Sequence, residues 1–169
     1  KRIEALNKNV LIIGSSSGIG YDLMNLFLYN KKIKIISTFY KNTIYENHPN
    51  LIKKRIDINK DLNKLYYLIK KYNPNIYYFP TPKISLFNDL DLKKLYNKYY
   101  IDYPIKLLNF ANNFNSNFLY PSTSYLNNNK KMNFYTLSKL NGERKLQENK
   151  NFKNQLTILR ISEINTKQN

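Results

Sequence analysis

The chain contains no cysteine and no tryptophan, one histidine and only four glycines. Without cysteine there is no disulfide framework and no thiolate metal site. The one histidine, His48, sits beside Pro49 in a polar stretch, so neither a histidine-centred catalytic site nor a histidine metal site is indicated. No apolar run approaches the roughly 18–20 residues that cross a bilayer. The apolar stretch at 10–13 is too short for a secretory signal and runs straight into a glycine turn. From these absences we expect a cytoplasmic protein with no membrane partner. Acidic residues are also scarce: 28 Lys and Arg stand against 11 Asp and Glu, a formal net charge of +17. The lysines are spread along the chain among Asn, Ile and Tyr, the pattern of compositional drift in AT-rich genomes. No nucleic-acid motif and no arginine cluster accompanies them, so nucleic acid is not the expected partner. A basic field does favour anionic phosphates.

What is present is a globular composition, 42% hydrophobic over 169 residues, enough for one domain with a substantial core. Short apolar runs alternate with longer helical patterns. Strands are predicted at 9–13, 33–39, 51–58, 76–79, 118–120 and 156–160. Helices are predicted at 19–29, 61–72, 90–113 with a kink at Pro104, and 134–149. Such alternation implies right-handed crossovers and a mostly parallel sheet. The expected fold is α/β, a Rossmann-type doubly wound parallel sheet in three α/β/α layers, formed by one domain over 1–169. A domain of this kind often continues with a further helix and strand, so a C-terminal part is expected after residue 169.

Three of the four glycines fall in Gly14-Ser15-Ser16-Ser17-Gly18-Ile19-Gly20, between the first strand and the first helix. Gly14 permits a tight turn. Gly18 lets the backbone approach a pyrophosphate, and Gly20 lets the helix pack close to the sheet. The helix N-terminus offers unpaired N–H groups and partial positive charge; Ser15, Ser16 and Ser17 add hydroxyl donors, and the backbone of Ile19 follows. An acidic residue after the second strand would hold the ribose hydroxyls of NAD. The chain has Ser37-Thr38-Phe39-Tyr40-Lys41-Asn42 there, with no carboxylate. Thr38 and Lys41 are instead suited to a 2′-phosphate, so NADP(H) is favoured over NAD(H).

A later segment reads Phe134-Tyr135-Thr136-Leu137-Ser138-Lys139-Leu140. Together with the G-x-x-x-G-x-G turn, Tyr135-x-x-x-Lys139 resembles the short-chain dehydrogenase/reductase superfamily. The four-residue offset puts both side chains on one helical face. A phenol titrates near 10, and a nearby ammonium favours its ionised form. The resemblance implies that Tyr135 exchanges a proton with the substrate oxygen while Lys139 lowers its basicity and binds the nicotinamide ribose. It further implies that a serine after the fifth strand holds that oxygen. Ser122 lies 13 residues before the tyrosine (135 − 122 = 13) and is the first candidate; Ser124 is the second. Asp57 and the backbone of Ile58 correspond to the adenine contact, and Pro80 to the strand end that lines the cofactor.

The chain departs from the family at Pro80-Thr81-Pro82, at Asp102 where a helix asparagine is usual, and at Ile161-Ser162-Glu163. The segment from Tyr135 to Glu143, and Phe118-Leu119-Tyr120-Pro121-Ser122, look like the extended, sugar-nucleotide-modifying members. The resemblance implies an NAD(P)-dependent oxidoreductase acting on a carbonyl or secondary alcohol of a small-molecule substrate. The alternatives are a nucleotide-sugar epimerase or dehydratase, or a non-catalytic NAD(P)-binding regulator. A homodimer is expected by analogy with the family.

Overall fold

The computed structural model describes residues 9–82, 90–114, 116–127, 133–148 and 156–162. Six strands pair in parallel: β1 (Asn9–Ile13), β2 (Lys34–Phe39), β3 (Leu51–Arg55), β4 (Asn75–Tyr78), β5 (Phe118–Thr123) and β6 (Leu156–Ile161). Their spatial order is β3-β2-β1-β4-β5-β6. This is the doubly wound order, and the strand order reverses between β1 and β4, where ligand crevices open in such sheets. Among the described residues five α-helices flank them: α1 (Gly18–Leu28), α2 (Leu62–Tyr72), α3 (Leu90–Asn97), α4 (Tyr103–Asn112) and α5 (Phe134–Glu148).

Alternation within β1 assigns the two faces. Leu11 and Ile13 turn toward α2, α4 and α5, joining Leu65, Leu107, Leu108 and Leu146 in one core. Val10 and Ile12 turn the other way, against Met24 of α1. No helix joins β2 to β3; Ile44, in the irregular connection between them, is 2% exposed and fills that side of the second core. Helix α2 ends as its sequence requires, with Asn73 in the left-handed region (φ 42°) just before Pro74.

Three predicted elements differ by more than one residue. Strand β3 stops at Arg55, not at residue 58, because Asp57 turns the chain: its Oδ1 accepts from the backbone N of Asn59 at 3.0 Å. Strand β5 continues past Tyr120 to Thr123. A proline is tolerated at Pro121 because pairing with β4 is confined to Phe118 and Leu119, and β6 alone accompanies the strand beyond them. The predicted helix 90–113 is interrupted by a π turn at Lys98–Asp102. Pro104 has no N–H to give to the carbonyls of Tyr99 or Tyr100. Both carbonyls accept tyrosine hydroxyls from the sheet instead: Tyr78 donates to Tyr99 O at 2.7 Å, and Tyr120 to Tyr100 O at 2.9 Å. Helix α5 packs against this turn, and Gly142 makes the approach possible. A Cβ there would stand 2.2 Å from Tyr100 O.

Candidate active site

The turn from β1 to α1 is shaped by close contacts. At Gly14 (φ 82°) a Cβ would lie 2.7 Å from Pro80 N and 2.8 Å from Phe79 C, so β1 and β4 can end side by side only without one. At Gly20 a Cβ would meet Gly14 O at 2.3 Å. Gly18 (φ 56°) has nothing within 4 Å of that position; there it is the left-handed backbone, not crowding, that favours glycine. Ser15 is fully buried. Its Oγ stands 2.6 Å from Ser37 Oγ and donates to Thr38 O at 3.0 Å, so it fastens the turn to β2 and does not serve a ligand. Ser16 and Ser17 line the cleft. Ser17 is the N-cap of α1 but makes no side-chain cap hydrogen bond, and the first turn holds no acidic residue. The leading amides therefore keep their capacity for an anion.

A cleft of about 750 Å³ opens along the ends of β1, β2, β3 and β4. Gly14, Ser16, Ser17, Thr38, Lys41, Asp57, Ile58 and Pro80 all line it. Thr38 has a structural part as well. It is 3% exposed, and its Oγ1 accepts from Gly14 N at 3.2 Å, so the hydroxyl supports the glycine turn. Lys41 is exposed at the mouth of β2. Asp57 is nearly buried and joined to a network at the cleft wall. Asn59 Nδ2 donates to Asp57 Oδ1 at 3.1 Å and to Tyr99 Oη at 2.9 Å, while its Oδ1 accepts from Tyr103 Oη at 3.0 Å.

A second cleft of about 220 Å³ is lined by Ile19, Pro121, Ser122, Thr123, Tyr135 and Lys139, with Phe79, Pro80 and Thr81 in common with the first. The two form one groove over the ends of the strands. Asn133 sets the start of α5: its Oδ1 accepts from Thr136 N at 2.9 Å, and Thr136 Oγ1 donates back to Asn133 O at 3.0 Å. That cap holds Tyr135 in the first turn. The Tyr135 ring meets Tyr96 and Tyr100 edge-on, at 6.1 and 5.5 Å.

Lys139 is 6% exposed; its Nζ donates to Pro121 O at 2.5 Å and lies 4.1 Å from the centroid of Tyr100. Burial lowers its ammonium from the ordinary 10.5 to about 7, against the supporting charge of Glu143. Burial likewise raises the Tyr135 hydroxyl, partly offset by a hydrogen bond with Thr123. The expectation that Lys139 makes Tyr135 more acidic does not hold here: the tyrosine is raised, and the ammonium is turned to the Pro121 carbonyl.

The serine assignment also changes. Ser122 lies within β5, 5% exposed, with its Oγ buried and without a well-formed hydrogen bond. It faces the Glu143 carboxylate, whose ionised form it favours. The hydroxyl that reaches Tyr135 is that of Thr123, one residue further and on the opposite side of the strand. Ser124 starts a 3₁₀ turn and does not line the cleft. Sequence reasoning passed over Thr123 because it ended the strand at Tyr120; the β-branched threonine was the signal that it continues. Asp102 is exposed to solvent and does not reach the site, while Glu163 lies outside the described residues.

No family model and no curated protein is similar enough in sequence to match the chain. Solved structures match it in fold. The short chain dehydrogenase from Leptospira borgpetersenii with bound NAD+ superposes with a TM-score of 0.77 at 14% identity, over 97% of this chain and 74% of that one. UDP-glucuronic acid 4-epimerase from Bacillus cereus, in complex with UDP-glucuronic acid and NAD, gives 0.74 at 19% identity, over 90% and 55%. UDP-glucose 4-epimerase from Thermotoga maritima gives 0.71 at 17%, over 90% and 54%. The chain spans about half the length of these epimerases. It has the Rossmann-type α/β fold that they share. Among the described residues no helix is long and apolar enough to cross a membrane.

Proposed function

We propose that the chain is the nicotinamide-dinucleotide-binding and catalytic part of an oxidoreductase of the short-chain dehydrogenase kind. One observation carries the reading: the bare N-terminus of α1 and the Tyr135–Lys139–Thr123 cluster open into one groove, joined across Phe79, Pro80 and Thr81. The residues fit a dinucleotide. Ser16, Ser17 and the amides from Gly18 to Gly20 would hold its pyrophosphate, Asp57 and Ile58 would border the adenine, and Lys139 would reach the nicotinamide ribose. When bound, the dinucleotide supplies or accepts a hydride.

The chain's own residues handle the proton. Tyr135, raised by burial, stays protonated at neutral pH and is able to donate to a substrate carbonyl oxygen. Thr123 holds the same oxygen and the tyrosine hydroxyl in line. Ser122 supports the site from beneath. Lys139 returns the proton to Tyr135 once it leaves the Pro121 carbonyl. NADP(H) is favoured over NAD(H), since Lys41 stands at the mouth of β2 and no carboxylate does.

A second reading is a nucleotide-sugar epimerase or dehydratase. It is favoured by the solved epimerases of the same fold, and by Tyr135 and Lys139 leading directly into Gly142-Glu143 as in the extended subgroup.

Titration with NADPH and NADH, followed by cofactor fluorescence, tests the proposal. We expect saturable binding, tighter for NADPH, with Tyr135→Phe leaving affinity nearly intact and abolishing turnover of any substrate found. No binding of either dinucleotide would overturn the reading.

A further inference from the structure

Glu143 stands one turn beyond Lys139 on α5 and is 3% exposed. A carboxylate is seldom buried so completely without a partner. Arg160 of β6 provides one, with Nε donating to Oε1 at 3.0 Å and Nη2 to Oε2 at 2.8 Å. The arginine side chain remains 41% exposed, so this bidentate pair runs from the solvent edge of the sheet to the floor of the catalytic cleft. Lys139 lies one helical turn before Glu143, buried on the same face of α5 but outside ion-pair distance, and among the described residues its nearer neighbours are neutral: the Pro121 carbonyl at 2.5 Å and the ring faces of Tyr100 and Tyr120, at 4.1 and 5.0 Å. Gly142 is what brings Glu143 and Lys139 down together, because it lets this turn of α5 rest on the Tyr100 carbonyl.

We propose that Glu143, clamped by Arg160, is a positioning residue that keeps Lys139 protonated and directed to the base of the cleft beneath Tyr135. The proposal rests on the reading of Tyr135 and Lys139 as the proton-handling pair. The groups facing Lys139 are Tyr78 of β4, Tyr100 of the π turn, Tyr120 of β5, and Tyr135 and Glu143 of α5, with Arg160 of β6 behind Glu143. Burial raises all four tyrosines, so they stay neutral through the physiological range. Burial alone would raise the Glu143 carboxyl too; the Arg160 hydrogen bonds, the neighbouring Ser122 hydroxyl and the charges of Arg160 and Lys139 outweigh it and hold the carboxyl low. Arg160 is raised by the same pair. Lys139 is thus the member of the cluster that titrates near neutrality, and Glu143 is its one anionic neighbour there.

The test follows the Lys139 side chain directly. Protein carrying 13C-labelled lysine is titrated by NMR, and the Lys139 Cε signal is identified among the 24 lysines by its loss in Lys139→Met. The midpoint is expected near 7. Glu143→Gln keeps the shape and removes the charge; it should weaken the proton affinity of Lys139 about tenfold. Glu143→Asp should restore it. A purely structural Glu143 would change the melting temperature and leave the midpoint in place, so a folded Glu143→Gln protein with an unchanged midpoint overturns the proposal. If Glu143→Gln does not fold, the reciprocal titration decides: the Glu143 carboxyl midpoint must rise in Lys139→Met, and no rise overturns it. Neither titration needs a dinucleotide. Absence of NADPH and NADH binding with the shift intact would discard the functional reading and still support the hold of Glu143 on Lys139.

Discussion

Gly142→Ala sets two effects of opposite sign against each other. Gly142 lies in the middle of α5, where alanine is the better helix former by about 1 kcal/mol. On propensity alone the substitution would stabilise the protein. The structure argues the reverse. The new Cβ would stand 2.2 Å from the Tyr100 carbonyl oxygen and 2.6 Å from the Tyr120 hydroxyl, where carbon–oxygen contacts normally begin near 3.3 Å. The carbonyl belongs to backbone held in the π turn, so α5 must retreat by about 1 Å. Overpacking of this kind costs about 1–3 kcal/mol. Loss of the Tyr120–Tyr100 hydrogen bond adds about 1 kcal/mol. The net expectation is destabilisation of about 1–3 kcal/mol, or about 2–4 °C in melting temperature for each kcal/mol in a chain of this size. Thermal and urea unfolding measure it. Tyr120→Phe in the same background should relieve only part of the loss, because the carbonyl contact is the shorter. A melting temperature equal to or above wild type would refute the packing argument and the account of the π turn with it.

Other substitutions probe the groove. Gly14→Ala combines a positive φ with a Cβ 2.7 Å from Pro80 N, so it should unfold more readily than wild type and lose NADPH binding altogether; binding at wild-type affinity would contradict the assigned turn. Asn59→Ala breaks the tie between the β3 end and the π turn, three side-chain hydrogen bonds in all, and should cost about 1–3 kcal/mol in urea unfolding. The lowered Lys139 has a defined sign. Between about pH 7 and 10.5 the unfolded chain holds a proton that the folded one has released, so stability contributed by this group rises with pH across that window. Lys139→Met should flatten the slope of unfolding free energy between those limits; an unchanged slope would show that Lys139 is protonated throughout. Above the window the raised tyrosines act oppositely, since they keep protons in the folded state.

Much of the site was legible because it is written in local chemistry. Gly14, Ser16, Ser17, Ile19, Asp57, Ile58, Lys41, Pro80, Tyr135 and Lys139 all reach the groove, since each sits at a strand end or on a helix face that periodicity locates. Reading failed where a contact from elsewhere in the chain decided the matter. The Thr38 hydroxyl accepts from Gly14, 24 residues away in sequence, a tie that no local pattern announces. Ser122 and Thr123 differ by one residue, and only the extension of β5 alongside β6 shows which faces Tyr135. Asp102 is exposed at the end of a π turn that helical periodicity does not announce.

The sequence by itself determined the order of elements, the parallel sheet, and the presence of a glycine-rich strand-to-helix turn ahead of a tyrosine–lysine pair. These follow from periodicities of two and 3.6 residues and from backbone freedom at glycine, which act over a few neighbours. The tertiary structure alone decided the charge state of that pair. Lys139 is pushed toward neutrality because Gly142 lets α5 settle against the π turn, and it keeps its proton to near 7 because β6 brings Arg160 to Glu143. Desolvation and a buried counter-charge depend on what packs around a group, and the sequence near Tyr135 and Lys139 carries no local record of either.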